Sequence, residues 1–567
     1  MTKKNKIKAV TLDPVTLEIM FNALRSVADE TFITLMKSAY STNIKERRDH
    51  STAIMDANGR LIVQADASLP VHLASMGGLM EVLLKKFKNK IEPGDIFVAN
   101  DPHVAGGTHL PDINMAMPIF EDGILVAFMC NIAHHADVGG SVPGSMAGGM
   151  TEIYQEGLRI PVVRLFHKGK LQTDLFDLML LNVRIPDERR GDYFAQIASC
   201  RLGASRITEI IKQYKVPGII LCFDDIITRT THRMKEVVKD LPDGIYQFED
   251  IMDDDGMGTF EIPVKVKITV KGSNIHFDFT GTANQVTGNI NVTRNATQAS
   301  VCYALKALLD PDVPNNQGVL DLPKITIEKG SLLDARFPAP VAARANTCQR
   351  IIDVIIGALS KAKPEAAVAA ANGANTTAVF SGIDPRTGES YVYLETLGGG
   401  FGGRATKDGK DGVQVHITNT SNLPVESIEM EYPLMVHSYQ LIEGSGGAGH
   451  HRGGLGLERI IEPVNHNCIF NGAGERFAQK PWGIFGGAEG MSGEFLKLDC
   501  NGNKKRLPNK PIGINIAEKE AVVIRTPGAG GYGPAEERSK EDLTEDANSG
   551  KFTQEFLNQH YPQWPSN

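Results

Sequence analysis

Apolar residues recur at helical spacing through LDPVTLEIMFNALRSVADETFITLMKSAY (residues 12–40), where Leu17, Met20, Phe21, Leu24, Val27 and Leu35 share one face. This predicts a long amphipathic helix with Asp13 as N-cap and Pro14 as its first residue. The period then drops towards two. STAIMDANGRLIVQAD (51–66) reads as a hairpin closed near Asn58-Gly59, and INMAMPIF with GILVAFMCNIA reads as a second one closed at Glu121-Asp122-Gly123. Between them a short helix over 74–88 precedes the strand-like GDIFVAN. Past residue 215 a helix is expected over 222–239. PVKVKITVKGSNIHFDFTG (263–281) then alternates Val264, Val266, Ile268 and Val270 with polar residues, the mark of a half-buried strand turning at 272–274. Helices follow near 295–309 and 347–362, and from about 373 the chain is strand and glycine loop. The pattern gives an α+β fold of mixed and antiparallel sheets with helices and a β-rich C-terminal part. The expected divisions are an N-terminal domain over 1–215, a middle domain over 216–372, a glycine-rich β domain over 373–534 and a polar tail over 535–567. That tail has a weak helical pattern and reads as a free tail or an arm on a partner.

Composition narrows the partners. At 567 residues the chain exceeds what one core supports. Its net charge of −8, with no long basic run after the first eight residues, argues against nucleic acid or an anionic membrane as main partner. No stretch reaches the ~20 apolar residues of a membrane span, and the basic opening MTKKNKIKAVTLDP lacks the apolar centre of a signal peptide. The expected location is the cytoplasm. Seven cysteines never form CxxC, which fits buried thiols and not a disulfide framework or a zinc knuckle. Glycine, at 57 residues, is the one excess, so many positions require tight turns or close backbone approach.

Two polar clusters carry the candidate chemistry: GGTHLPDIN (106–114), with His109 and Asp112, and NIAHHADVGG (131–140), with His134, His135 and Asp137. They flank the second hairpin, so they meet at its open end. A two-residue turn puts Asp112 opposite Ala133, and a three-residue loop puts it opposite His134, because the turn fixes the register. Whether His134 or His135 faces Asp112 stays open at this level. Imidazole and carboxylate without thiolate suit Zn²⁺, Mn²⁺ or Fe²⁺ in a site open to water or substrate. Asp49 in KERRDHSTAI (45–54) is a fourth candidate at the mouth of the first hairpin, with Arg47 and Arg48 read as solvated charges. Gly398, Gly400 and Gly403 match G-x-G-x-x-G, but RATKDGKDG after them is a turn where a dinucleotide fold needs a helix. His450, His451 and Arg452 are taken as a solvated loop.

RRDHSTAI, ANDPHVAGGTHLPD, AHHADVGG, TEIYQEGLRIP, LGGGFGGR, GAGHHRGGLG and TPGAGGYG, in this order over about residues 12–534, resemble the hydantoinase B family. That family includes the C-terminal part of 5-oxoprolinase and subunits of acetone and acetophenone carboxylases. The resemblance implies a subunit working with a hydantoinase A type partner that binds ATP and phosphorylates the substrate, which then reacts at one divalent metal (Zn, Mn or Fe). It puts the metal ligands on His109, Asp112 and His134 with Asp49 as the fourth, and makes His135 and Asp137 orienting or proton-transfer residues. The leading expectation is the metal-bearing subunit of an ATP-dependent cyclic amide hydrolase of the hydantoin, 5-oxoproline or lactam type. The alternatives are a ketone carboxylase subunit and a non-catalytic scaffold.

Overall fold

The computed structural model describes residues 12–565, so most of the basic N-terminal stretch lies outside the described residues. The first helix runs Pro14–Ser38, with the Asp13 carboxylate accepting from the amides of Val15 and Thr16 at 3.1 and 3.0 Å. The face carrying Met20, Leu24, Val27 and Phe32 is buried, as its spacing requires. It packs on a long helix, Pro186–Lys239, which bends at Lys215, where φ is +63°. Only the last third of that helix, residues 222–239, was expected from the sequence.

Seven strands form the sheet beneath: β1 (His50–Asp56), β2 (Leu61–Gln64), β3 (Ile96–Ala99), β4 (Asp112–Glu121), β5 (Ile124–His134), β6 (Val163–His167) and β7 (Lys170–Leu171). Their order is β2-β1-β5-β4-β3-β6-β7, and neighbours are antiparallel. Both faces are covered. Ile54, Val126 and Met129 meet the two helices just described, while Ala53, Met55, Phe128 and Cys130 meet the helix Leu73–Lys86. Double burial explains why these strands read as apolar runs with little alternation.

The second hairpin resolves the register. Asp122 and Gly123 form a two-residue turn, both at positive φ, with Glu121 opposite Ile124. A bulge then inserts Val126 in β5: Phe120 pairs with Leu125 but Ile119 with Ala127. The one-residue shift persists to the open end and sets Asp112 opposite His134. Of the two closures left open by the sequence, the two-residue turn is present, and the bulge supplies the pairing that a three-residue loop would have given.

A second sheet, β8 (Gly244–Asp254), β9 (Phe260–Lys271), β10 (Asn274–Asp278) and β11 (Lys324–Thr326), has the order β11-β10-β9-β8, with β10 and β11 parallel. It shares a core with the helices Arg294–Leu309 and Arg344–Leu359. Residues 376–525 build two further sheets, of four and five strands, around Phe380, Tyr393, Phe470 and Phe495.

The glycine-rich segments are neither turns nor a nucleotide loop. In the stretch 528–533, successive amides donate to different neighbours: Gly528 and Gly531 to the carbonyls of Met491 and Ala488, Ala529 and Tyr532 to those of Gly454 and His451, Gly530 to Ala370. Over 528–532 the neighbouring segment recurs every third residue, while Gly533 donates to Ile484; a spacing of three suits an extended backbone whose amides bond only outwards. A Cβ on Gly453 would stand 1.9 Å from the Ala529 oxygen, and one on Gly530 2.0 Å from that of Trp482. Only glycine allows backbones this close.

Residues 535–565, expected from the sequence as a polar tail or an arm on a partner, pack on the chain's own glycine-rich part. Helices Lys540–Asn548 and Gln554–His560 bury Leu543, Phe552, Leu557 and Tyr561 against Ala448 and Leu455. Arg452, expected in a solvated loop, is 3% exposed and bonds Asp411 and Asp546, and Arg538 bridges Asp408 and Asp546 beside it. Six cysteines are buried and Cys500 is exposed, all as free thiols.

Candidate metal centre

Three strand ends converge at the mouth of the first sheet. The His134 amide donates to the Asp49 carbonyl at 2.9 Å, which ties the residue before β1 to the end of β5. Asp112 opens β4 across from His134, and His109 precedes it by three residues in a tight turn. His109, Asp112 and His134 are buried and offer ligand atoms that lie within 4.8 Å of one another. Asp49 lines the same cavity, outside this tight trio. The cavity measures about 20 Å³, room for an ion or one water.

The hydrogen bonds select the atoms that face inward. His109 Nδ1 lies 3.0 Å from the Ala342 carbonyl, which can only accept, so Nδ1 holds the proton and Nε2 carries a bare lone pair. Nε2 stands 3.1 Å from Asp112 Oδ1, and both atoms are buried without a hydrogen-bond partner. Two lone pairs facing each other in the interior are unfavourable unless a cation lies between them. About 3 Å is also the spacing of adjacent ligands each ~2.1 Å from a common ion. The donor set therefore fits a divalent metal. His134 is held by Asn43, whose amide donates to its carbonyl at 2.7 Å and to its Nδ1 at 3.0 Å, with Nε2 3.2 Å from Met146 Sδ. Ligation through His134 Nε2 places the proton on Nδ1 and so requires the Asn43 amide to turn.

Electrostatics favour the ligating forms. Burial opposes ionisation of Asp112, but neighbouring positive charge, which with the ring of His109 neutral is the Arg344 guanidinium paired to Oδ2, holds the carboxyl well below its usual range. Burial drives His109 and His134 down, keeping both rings neutral. Asp49 is the exception: burial raises its carboxyl, which disfavours the ligating carboxylate.

Three residues of the site escaped the sequence reading. Arg344, from the start of a helix 232 residues away, pairs with Asp112 Oδ2. His72 stands at the head of helix Leu73–Lys86, with Nδ1 2.8 Å from Ser51 Oγ and Nε2 3.5 Å from Asp112 Oδ1. Glu156, fully buried in the TEIYQEGLRIP stretch, accepts from the amides of Val341 and Ala342, both at 2.7 Å, and thereby sets the carbonyl that orients His109. Burial pushes its carboxyl up to about 8. Only Glu156 lay in a motif, and nothing in spacing links any of the three to Asp112.

Not every expected residue reaches the cavity. His135, one residue beyond His134, turns the other way: Nε2 meets Gln196 Oε1 at 3.0 Å and the ring packs on Tyr193 at 4.6 Å. Asp137 accepts from the amides of Gly139, Gly144 and Arg184 and pairs with the Arg184 guanidinium at 2.7 Å. Arg47, taken as solvated, is fully buried and donates to Asn43 and Thr396, with no ion pair to Asp49. Among the described residues no helix is long and apolar enough to cross a membrane.

Comparison with known proteins places this geometry. The model of the hydantoinase B/oxoprolinase family matches residues 13–535. An uncharacterized protein of Methanocaldococcus jannaschii is 38% identical over 96% of this chain and 94% of its own. The B component of a putative D-/L-hydantoinase from a Pseudomonas species is 31% identical over 96% and 94%. The 5-oxoprolinase 1 of Arabidopsis thaliana is 33% identical over 94% of this chain, which spans 43% of that protein's length. Among solved structures, the ATP-dependent caprolactamase of Pseudomonas jessenii superposes with a TM-score of 0.93 at 27% identity, covering 98% of this chain and 97% of that one. Sequence, architecture and the order of the motifs agree: the chain belongs to the hydantoinase B/oxoprolinase family.

Proposed function

We propose that this chain is the metal-bearing B component of an ATP-dependent hydrolase of cyclic amides, of the hydantoin, 5-oxoproline or lactam type. Its partner is a hydantoinase A type protein that holds ATP and phosphorylates the substrate. The observation that carries the reading is the pair of buried, unpartnered atoms, His109 Nε2 and Asp112 Oδ1, facing each other at 3.1 Å. Support for the substrate class comes from the names of the relatives, a hydantoinase component, a 5-oxoprolinase and a caprolactamase.

His109, Asp112 and His134 would hold the ion, with Asp49 as a fourth ligand. Bound there, a divalent Zn, Mn or Fe ion supplies Lewis acidity, lowering the pKa of water or polarising a carbonyl. Unstrained amides are poor electrophiles, and phosphorylation of the carbonyl oxygen converts it into a good leaving group, which accounts for the use of ATP. Arg344 keeps Asp112 ionised, and Glu156 keeps His109 in the tautomer that points Nε2 inward. His135 and Asp137 act on the loop that carries His134, since their polar atoms are committed away from the cavity.

The test is reconstitution of the purified chain with its A-type partner and ATP on 5-oxoproline, hydantoin and caprolactam. Ring-opened product that requires both proteins, and disappears in His109→Ala while partner ATP binding persists, is the expected result. Turnover of ATP only with a ketone and bicarbonate would replace the hydrolase by a carboxylase. Full activity of His109→Ala would remove the metal mechanism.

A further inference from the structure

A cavity of about 250 Å³ lies between the helices Arg294–Leu309 and Arg344–Leu359 and the loop 401–406. Leu308, Ile356, Ala367 and Val368 give it apolar walls, which the rings of Tyr303 and Phe401 extend. His416 lines it too, with a side chain only 1% exposed. Its Nε2 stands 3.1 Å from Asp353 Oδ1, and the Arg476 guanidinium holds Asp353 Oδ2 at 2.8 Å. Burial opposes ionisation of Asp353, but these bonds hold its carboxyl below the usual range. A carboxylate only accepts, so Nε2 carries the proton, and in the neutral ring Nδ1 keeps its lone pair. That Nδ1 has no partner among the described residues and, unlike the sealed Nδ1 atoms of His50 and His135, keeps accessible surface on the cavity. The backbone of His416 stands at φ +48°, unfavourable for a residue with a side chain, so the surrounding fold imposes the placement. The Tyr303 hydroxyl is also without a partner and stays protonated, since burial pushes it up to about 12. Two opposite charges complete the lining. Arg404 donates to the Asp408 carbonyl at 2.5 Å, Glu365 is exposed at the mouth, and neither makes an ion pair among the described residues.

We propose that this cavity binds a small apolar amino acid, with its carboxylate on Arg404 and the Tyr303 hydroxyl and its ammonium between His416 Nδ1 and Glu365. Two donors and two acceptors stand unused around a hydrocarbon wall, and a zwitterion with an apolar side chain satisfies all four. A simple carboxylate would leave the imidazole lone pair and Glu365 without a donor, and an amine would leave Arg404 without an anion. A phosphate dianion would face Glu365. Apolar walls with a few convergent polar groups are the usual form of a small-molecule site. The metal cavity is a separate space: it is lined by Thr418 and Thr420, further along the segment that carries His416. None of this depends on the reaction at the metal centre.

The test is equilibrium dialysis of the full-length chain with L-leucine, with isocaproate, which lacks its ammonium, and with isopentylamine, which lacks its carboxylate. Saturable binding of leucine is expected, with each truncated probe weaker by about tenfold or more, since a charge-assisted contact contributes on that scale. Arg404→Met should weaken leucine and isocaproate by a similar factor. Glu365→Gln should weaken leucine by about threefold, as a surface charge pair does, and leave isocaproate unchanged. Glu365 is exposed and unpaired among the described residues, so this variant should keep the thermal midpoint and serves even if Arg404→Met does not fold. Stripping the metal with a chelator should leave leucine binding unchanged, and binding lost together with the metal would move the ligand to the metal centre and overturn the proposal. It is equally overturned by no saturable leucine binding, by equal binding of leucine and isocaproate, or by unchanged leucine affinity in Glu365→Gln.

Discussion

Replacing Glu156 separates two roles that a buried carboxylate can have. Its Oε1 accepts from the amides of Val341 and Ala342, and its Oε2 has no partner. Glu156→Ala leaves two buried N–H groups without an acceptor, at about 1–3 kcal/mol each, or roughly 2–6 kcal/mol together. That is a large part of the ~5–15 kcal/mol that typically holds a domain folded. The same change frees the Ala342 carbonyl, so His109 loses the bond that fixes its tautomer. Glu156→Gln keeps the acceptor at Oε1 and is neutral, as the carboxyl itself is at pH 7 when burial lifts it to about 8. The expected order is therefore wild type, then Gln close behind, then Ala far below. Hydrogen exchange at the amides of 341 and 342, with metal retention during dialysis against a chelator, reads both effects locally in a chain too large for two-state analysis. If Gln fails as completely as Ala, negative charge matters and not the acceptor. If Ala keeps slow exchange and bound metal, Glu156 does not organise the site.

The same carboxyl gives a pH dependence. Its folded pKa is raised from 4.5, so its contribution to stability is full below about 4.5 and is lost as pH rises through about 8; Glu156→Gln should flatten that part of a pH–stability profile. Asp112→Asn removes the counter-charge of Arg344, which is 3% exposed and pairs with no other carboxylate among the described residues, so a loss of about 3–5 kcal/mol is expected along with the metal, read by denaturation and elemental analysis. An Asp112→Asn protein as stable as wild type would show the pair to be dispensable. Deleting residues 535–565 uncovers Ala448 and Leu455 and leaves Arg452 short of Asp546, so light scattering should report association of the shortened chain. Gly453→Ala should yield no folded protein, since a 1.9 Å contact with backbone has nowhere to relax.

Local pattern made much of this legible. The first helix, its cap, both hairpin turns and the helices near 295–309 and 347–362 follow from spacing and turn residues that act over a few positions. The meeting of the two histidine clusters was legible because a hairpin converts sequence separation into opposition. The bulge at Val126 was not: no residue type announces it, and it decides which histidine faces Asp112. Arg344, His72 and Glu156 were invisible for another reason. Each enters from a separate element, brought in by packing of whole layers, and a single sequence holds no record of that contact. The docking of residues 535–565 escaped because Arg452 and Arg538 look solvated until Asp408 and Asp546 are seen beside them.

The glycine segments, whose amides bond outwards to neighbouring backbone, carry a thermodynamic signature unlike that of the rest of the molecule. Peptide groups fill their interior where side chains would elsewhere, so melting them exposes polar surface with little hydrocarbon. Exposing apolar surface raises the heat capacity and exposing polar surface lowers it, by about +0.45 and −0.26 cal/K/mol/Å². Unfolding of residues 528–533 and the segments around them therefore adds little to ΔCp, or subtracts from it, while its enthalpy of broken hydrogen bonds is large. In this region stability should weaken less on cooling than in the leucine-, valine- and isoleucine-lined layers, and a calorimetric trace of the whole chain is expected to give a smaller ΔCp per residue than its length alone suggests.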